Sequence, residues 1–389
     1  MSKWNGGCRA RLFPMPTDED AADLLVIGAG PAGCATALAA RGRGVTRVVM
    51  VDRPRLAPVV FGEQATPDVG PLLARLGLDP DLSRRGHSRC YGTLSHWGDG
   101  PPIVDHFLRR GWDHGWHLDR GTFDDWLRSE TVRRGVRLIR PGALRGLARD
   151  TEGWRVWIGG YGEARARVLV DAGGRRAPLA TRLGARRHRL DALVALAVVL
   201  ERGKGAGLVG LSLVEACPDG WWYAAPLPDG RAVLMLMTDN DIAAARGFRD
   251  PENFVREWRQ TEAMARLIPA RAVAAVATRP AASGFIDHAV GYGWIAVGDA
   301  LSVLDPLASA GIAGALGDGL AAAKVVVASL GGHCSAEAAR AYGHRANAAL
   351  QRYLEERRRH YVGERRWPES AFWTRRAAPV QPVAATGSR

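Results

Sequence analysis

The chain has 389 residues, 47% hydrophobic and 24% charged, enough for two domains or one elaborated α/β domain with a large core. Its formal charge of +13 comes from scattered arginines, since the only lysines are Lys3, Lys204 and Lys324. With no zinc-finger or RNA-binding signature, that excess argues against nucleic acid and fits an acidic substrate, an acidic protein partner or cofactor phosphates. Cys8, Cys34, Cys90, Cys217 and Cys334 show neither CxxC nor metal spacing. That predicts reduced thiols, no metal site and a cytoplasmic protein. The first 22 residues lack an apolar signal core, and no run is expected to approach membrane-spanning length.

Residues 1–22 read as a polar lead-in. Leu24–Ile27 is a short apolar run, followed at once by Gly28-x-Gly30-x-x-Gly33 and an alanine-rich helical pattern to Ala40. Gly28 serves the tight turn, Gly30 lets backbone N–H groups approach a pyrophosphate, and Gly33 lets helix pack on strand. Pro31 and Ala32 fall in the first helical turn, whose dipole favours an anion. Val48–Val51 then ends in Asp52 and Arg53, where an acid grips a ribose hydroxyl. Strand, glycines, helix, strand and acid in that order predict dinucleotide binding.

Residues 86–114 read as strands and loops crossing between domains, and Asp119–Leu127 opens an amphipathic helix. Val136–Ile139 reads as a third strand, and Trp154–Ile158 with Arg165–Val170 as a hairpin. Val168–Gly174 returns a buried strand into glycines. Apolar runs from Leu193 to Thr238 predict an antiparallel sheet, and Gly293–Gly298 another buried strand leading into Asp299. Ala310–Leu330 reads as a long apolar helix and Ser335–Glu364 as a charged one. The expected plan is a discontinuous dinucleotide-binding domain (23–85, 115–185 and 278–332) with a substrate lobe from 86–114 and 186–277. A C-terminal helical segment (333–376) and a disordered tail (377–389) follow.

This order resembles FAD-dependent monooxygenases of the glutathione-reductase-like fold, a parallel Rossmann-type sheet carrying an inserted antiparallel lobe. Val297-Gly-Asp-Ala300 is similar to the motif whose aspartate binds the ribityl chain, and Asp171-Ala-Gly-Gly-Arg175 resembles the middle motif, with glycine for the usual Thr/Ser. Gly298-Asp-Ala-Leu-Ser-Val-Leu-Asp-Pro-Leu-Ala-Ser-Ala-Gly-Ile312 is similar to the pattern of tryptophan halogenases and their non-halogenating relatives, where the D-P-L segment lies beside the isoalloxazine. Gly62-Glu63 with Ala65-Thr66 resembles the G-E-A-T loop with one inserted residue, and Glu364–Trp373 the terminal E-R…F-W pattern. The resemblance implies that Gly28, Gly30, Pro31, Ala32, Gly33, Asp52, Arg53, Glu63, Arg120, Gly173, Asp299, Pro306, Ser309, Gly311 and Ile312 hold FAD non-covalently.

Halogenases of this family carry a lysine downstream of the G-E-A-T loop, and residues 63–120 contain none. They also carry W-x-W-x-I-P, where this chain has Trp221-Trp-Tyr-Ala-Ala-Pro226. That variant, with Trp97-Gly98 and Gly115–Arg120, resembles the flavoproteins that mature tryptophylquinone enzymes. The implied substrate is a tryptophan side chain in a protein or peptide, hydroxylated on its indole. The implied chemistry is reduction of FAD by NAD(P)H and reaction with O2 to a C4a-hydroperoxide that transfers oxygen to the ring. Trp221, Trp222 and Tyr223 are expected to form a water-excluding aromatic wall, with His96, His117 and Asp305 as acid–base candidates. A small-molecule aromatic hydroxylase, a halogenase and a non-catalytic flavin-binding maturation partner stay open, as does alkene reduction.

Overall fold

The computed structural model describes residues 21–53, 64–201, 206–332 and 335–378. The N-terminal lead-in up to residue 20, Glu63, and all but two residues of the expected tail lie outside them. In chain order the elements that build the site begin with β1 (Ala22–Ile27), α1 (Pro31–Arg41), β2 (Val48–Val51), β3 (Gly92–His96), β4 (Ile103–His106) and α2 (Arg120–Arg133). Then come β5 (Arg137–Ile139), β6 (Gly162–Asp171), β7 (Leu193–Leu200), β8 (Leu211–Cys217), β9 (Gly220–Pro226), β10 (Ala232–Asp239) and β11 (Ala277–Pro280). The last are β12 (Trp294–Ala296), α3 (Gly311–Gly331), α4 (Ser335–Gly363) and α5 (Ala371–Ala377).

The architecture is mixed α/β with a parallel sheet, as expected. That sheet runs β12–β6–β1–β2–β5, and every pairing along this path is parallel. Its centre, Leu24–Ile27 of β1, Val48–Val51 of β2 and Val168–Val170 of β6, is apolar and mostly buried, as a parallel sheet with helices packed on it requires. The hairpin of Trp154–Gly159 with β6 adds antiparallel pairing, Trp154 facing Ala166.

A seven-stranded sheet in the order β11–β7–β10–β9–β8–β3–β4 forms the second layer. It is antiparallel except where β8 runs parallel to β3. Each of its faces carries a packed cluster. One packs Phe254, Trp258 and Met264; the other packs Tyr361 of α4 with Phe372 and Trp373 of α5. Residues 86–114 do more than cross between domains, since two of their strands finish this sheet.

Helix α3 corrects one expectation. Its 21 residues, with a mean hydropathy of 1.5 over the best window, are long and apolar enough to cross a membrane. Half of that window is buried inside the fold, where Gly319 admits α1: a Cβ there would lie 2.6 Å from the Ala35 Cβ. Such packing accounts for the apolar run as a core helix.

Candidate functional site

Four strand ends meet in one crevice. Ile27 of β1 is in register with Val51 of β2 and Asp171 of β6, and Asp171 with Ala296 of β12. Gly28, Asp52, Gly173 and the Gly298–Asp299 turn therefore open at the same carboxyl edge, where ligands of such sheets bind. Gly28 has φ +109°, and a Cβ there would lie 2.2 Å from the Ala172 oxygen. One at Gly33 would lie 2.0 Å from the Gly28 oxygen, whereas one at Gly30 meets nothing within 4 Å. The loop is packed behind and bare in front. Helix α1 starts there with Gly30 as its N-cap, Pro31 in its first turn and no side chain capping it. Its leading N–H groups and dipole are left for an anion.

Around this loop, Asp52 accepts the Ala29 N–H at 3.3 Å and lies 3.7 Å from Arg140, while Arg53 is exposed. Arg120 opens α2, 3.4 Å from Asp124. The N–H groups of Gly173, Leu179 and Ala180 all donate to buried Asp171. Burial raises the pKa of that carboxyl against the pull of the three donors.

The Gly298–Ile312 segment supplies a second bare helix start. Asp299 is half exposed; Arg175 stands 3.7 Å from its carboxylate, and Arg187 donates to its carbonyl oxygen at 3.0 Å. Gly298 donates to Asp318 of α3, which Arg345 of α4 pairs at 2.9 Å. Pro306 lies in a short turn, and Ser309 takes φ +47° to lead the chain into α3. That helix begins at Gly311 with Ile312 buried, no side-chain cap, and open space beside Gly311 and Gly314. A Cβ on Gly298 would lie 2.7 Å from that of Ala32 and 3.6 Å from that of Ala315. Both helix starts thus converge on the Gly298 turn.

Asp305, an expected acid–base candidate, is built into the fold by several contacts. It is 2% exposed, caps the turn by accepting the Leu307 N–H, accepts the Tyr361 hydroxyl at 2.8 Å, and pairs with Arg357 at 3.4 Å. These contacts make it an anchor for the Pro306–Leu307 turn.

Strand alternation also divides the expected aromatic wall. Trp221 and Tyr223 lie on the face covered by α4 and α5, while Trp222 points into the opposite core, 5.0 Å from Phe254. His96 shares the far face with Trp222, because His96 is in register with Glu215 and Glu215 with Trp222. Its Nδ1 lies 3.5 Å from the Glu215 carboxylate, so neither Trp222 nor His96 fits its expected role. Trp221 is fully buried and donates to the Tyr361 hydroxyl at 3.0 Å. His117 is buried too, its Nε2 3.0 Å from Ser212 Oγ, and burial lowers its pKa to about 4, so the ring is neutral near pH 7.

Tyr223 alone of the three aromatics is partly exposed. Val214 lies opposite it and Ser95 opposite Val214, with Thr93 two residues along the same face. Leu307 of the turn packs against this cluster. Gln64 ties the face to the start of α3, donating to Thr93 Oγ1 at 3.2 Å and accepting from Ser309 Oγ at 3.3 Å. The site is therefore a crevice with two helix starts below and a partly open sheet face above.

A model of the tryptophan halogenase family matches residues 101–384. The chain belongs to that family. LodB of Marinomonas mediterranea, described as an FAD-dependent oxidoreductase, is 29% identical over 365 residues, 92% of this chain and 97% of LodB. The structure of QhpG, a peptidyl tryptophan dihydroxylase essential for tryptophylquinone cofactor biogenesis, superposes with a TM-score of 0.75. It is 29% identical, over 92% of this chain and 79% of QhpG. The halogenase CmlS superposes at 0.81 over 92% of this chain and 67% of its own, but at 22% identity it shares the fold alone.

As a member of the family the chain is a flavin-dependent, halogenase-like oxidoreductase, and FAD is its implied cofactor. The crevice fits that group. Bare Gly30 and the uncapped start of α1 suit a pyrophosphate, Asp52 and Asp299 offer carboxylates at either side, and the start of α3 offers further N–H groups. Among the described residues no cluster of three or more His, Cys, Asp or Glu could hold a metal ion.

Four residues of this site escaped sequence reasoning. Arg128, buried on α2, donates to the Ala29 oxygen of the glycine loop at 3.3 Å. Arg187 braces the Asp299 turn, Gln64 bridges the lobe face to α3, and Tyr361 joins Trp221 to Asp305. Gln64 is the residue inserted in the Gly62–Thr66 loop, the one of the four that carried a signal.

Proposed function

We propose that this protein is a flavin-dependent monooxygenase that hydroxylates the indole of a tryptophan held in a protein or peptide. The observation that carries this reading is a pairing of presence and absence. The face above the crevice offers Tyr223, Val214 and Leu307 as an apolar and aromatic seat with the Thr93 and Ser95 hydroxyls beside it. Residues 63–120 contain no lysine, and the one lysine among the described residues, Lys324, is exposed on α3. The likeness to LodB and QhpG, at 29% identity each, supports the same reading.

When bound, reduced FAD supplies the electrons that activate O2, with NAD(P)H as their proposed source. The chain's own part is to seat and shield. Tyr223, Val214 and Leu307 would hold an indole against the turn and keep water from it. Thr93, Ser95 and the Tyr223 hydroxyl are placed to accept an indole N–H. Helix α3 directs its N-terminal dipole at the crevice, where negative charge is stabilised. Burial makes neutral His117 a weak base, and Asp305 is held by Tyr361 and Arg357, which suits indole, a ring with no phenol to ionise.

Anaerobic reduction of the purified protein by NAD(P)H, then mixing with O2 with and without a tryptophan peptide, tests the proposal. The expected result is peptide-dependent oxidation with a mass gain of about one or two oxygen atoms. Release of H2O2 with the peptide unchanged would sink the substrate. A halide-dependent mass gain would favour halogenation, the reading that family membership supports equally.

A further inference from the structure

Strand β4 (Ile103–His106) is the outer edge of the seven-stranded sheet. It pairs with β3 in the register Ser95↔Ile103, Leu94↔Val104, Thr93↔Asp105 and Gly92↔His106, and Phe107 N–H donates to the Tyr91 oxygen at 2.9 Å. Antiparallel bonds alternate, so 103, 105 and 107 bond inward and the N–H and C=O groups of Val104 and His106 point to the open edge. Neither residue's backbone has a partner there among the described residues.

Folded chains normally guard such an edge with charge or cover it. Here five of the eight exposed large apolar side chains among the described residues surround it: Val209 (84% exposed), Leu108 (62%), Ile103 (59%), Trp112 and Tyr91. They are tied together locally, since Tyr91 N–H donates to Gly210 beside Val209, and Trp112 N–H donates to Phe107. Arg89 and Arg109 stand exposed next to this patch with no ion-pair partner among the described residues, in a chain of net charge +13. Arg110 is paired with Asp105.

We propose that β4 is the docking strand for the protein substrate: an extended, acidic segment adds to this edge as an eighth strand. The inference rests on the reading that the substrate is a polypeptide. Backbone pairing with Val104 and His106 supplies affinity, the apolar ring takes alternate side chains, and Arg89 and Arg109 select acidic flanks. The added strand lies about 10 Å from β3, two strand spacings away. One set of its side chains continues the face that carries Thr93, Ser95 and Tyr223. Residues beyond the paired stretch then carry the tryptophan over that face to the crevice.

The test uses the full chain with FAD and a labelled extended peptide with a central tryptophan between aspartate and glutamate flanks. Binding is read by anisotropy and oxidation by mass. N-methylation of alternate peptide N–H groups, Val104→Pro and Leu108→Glu are each expected to weaken binding roughly tenfold. Lysine flanks are expected to do the same. With Val104→Pro, KM for the peptide rises while kcat holds. Because the Val104 N–H points outward, proline there removes no sheet bond; the N-methylated peptide needs no altered protein at all. If the acidic peptide binds and is oxidised with unchanged KM in both variants, docking at β4 is overturned and the peptidyl substrate stands. If no peptide binds or reacts while free indoles do, the substrate class fails and the docking strand fails with it.

Discussion

The parallel sheet shapes its side of the crevice with backbone, and the seven-stranded sheet shapes the other with side chains. Gly28, Gly30 and Gly33 act by lacking Cβ atoms, and Asp52 and Asp299 sit where strand ends put them. On the facing sheet, Tyr223 points at the crevice only because its strand position is odd relative to Trp222. One-residue alternation decides which aromatic is core and which is site. Motifs of the first kind survive as fixed spacings, while sites of the second kind depend on register.

The largest expected effect breaks the backbone side. Gly33→Ala would place a Cβ 2.0 Å from the Gly28 oxygen, a contact that strand and helix must separate to relieve. The expected loss is roughly 3 kcal/mol or more, with loss of bound flavin. Urea denaturation and the flavin absorbance retained after desalting would measure it. A variant that keeps both would show that the loop tolerates a side chain and that glycine is not what shapes it.

Trp222 and Tyr223 sharpen the contrast because they are sequence neighbours. Trp222→Ala removes a fully buried ring beside Phe254 and Trp258 and is expected to cost about 3–5 kcal/mol. Tyr223→Ala empties a partly exposed position, and its expected cost is under about 1.5 kcal/mol with a large fall in substrate turnover. Equal losses of stability in the two variants would contradict the assignment of faces.

His117, buried against Ser212 of β8, gives the fold a pH signature. Its folded pKa is about 4 because burial penalises the charged ring, against an ordinary value of 6.5. Between those values the unfolded chain binds a proton that the folded chain refuses. Its contribution is therefore fully present above pH 6.5 and is lost as pH falls toward 4, about 3 kcal/mol in all. His117→Gln should flatten the acid limb of a stability–pH curve. An unchanged limb would place the acid sensitivity in other groups.

The glycine loop, Asp52, the Gly298–Asp299 turn and the long helices were legible in the sequence because each is local: a strand, a breaker, a period. The site face was not. Three consecutive aromatics read as one wall, although a strand must send the middle one away. His96 was an acid–base candidate by residue type, and its partner Glu215 lies 119 positions on, brought beside it by the β3–β8 pairing. Asp305 was an acid–base candidate in the D-P-L motif, and its partners Arg357 and Tyr361 arrive from a helix some 50 residues later. Long-range register and helix docking decided these positions, and neither is written in local spacing.

The smallest effect tests whether the two sides of the crevice are mechanically joined. Tyr361 reaches from α4 to both: its hydroxyl accepts the Trp221 indole N–H at 3.0 Å and donates to Asp305 at 2.8 Å. Burial and the neighbouring Asp305 carboxylate raise the pKa of this phenol, so the proton it donates stays on it. Tyr361→Phe keeps the ring that packs on Trp97, Phe372 and Trp373 and removes only that hydroxyl. The Trp221 N–H then loses its acceptor, while Asp305 keeps Arg357 and the Leu307 N–H. The expected loss is about 1–2 kcal/mol, the cost of one orphaned donor and one lost charge-assisted bond. Because Asp305 caps the turn that carries Leu307, the variant should also raise KM for the aromatic substrate more than it lowers kcat. A double-mutant cycle with Asp305→Asn should give a coupling of about 1 kcal/mol. Zero coupling would mean that Tyr361 merely fills space and that the lobe and the turn are held in place independently.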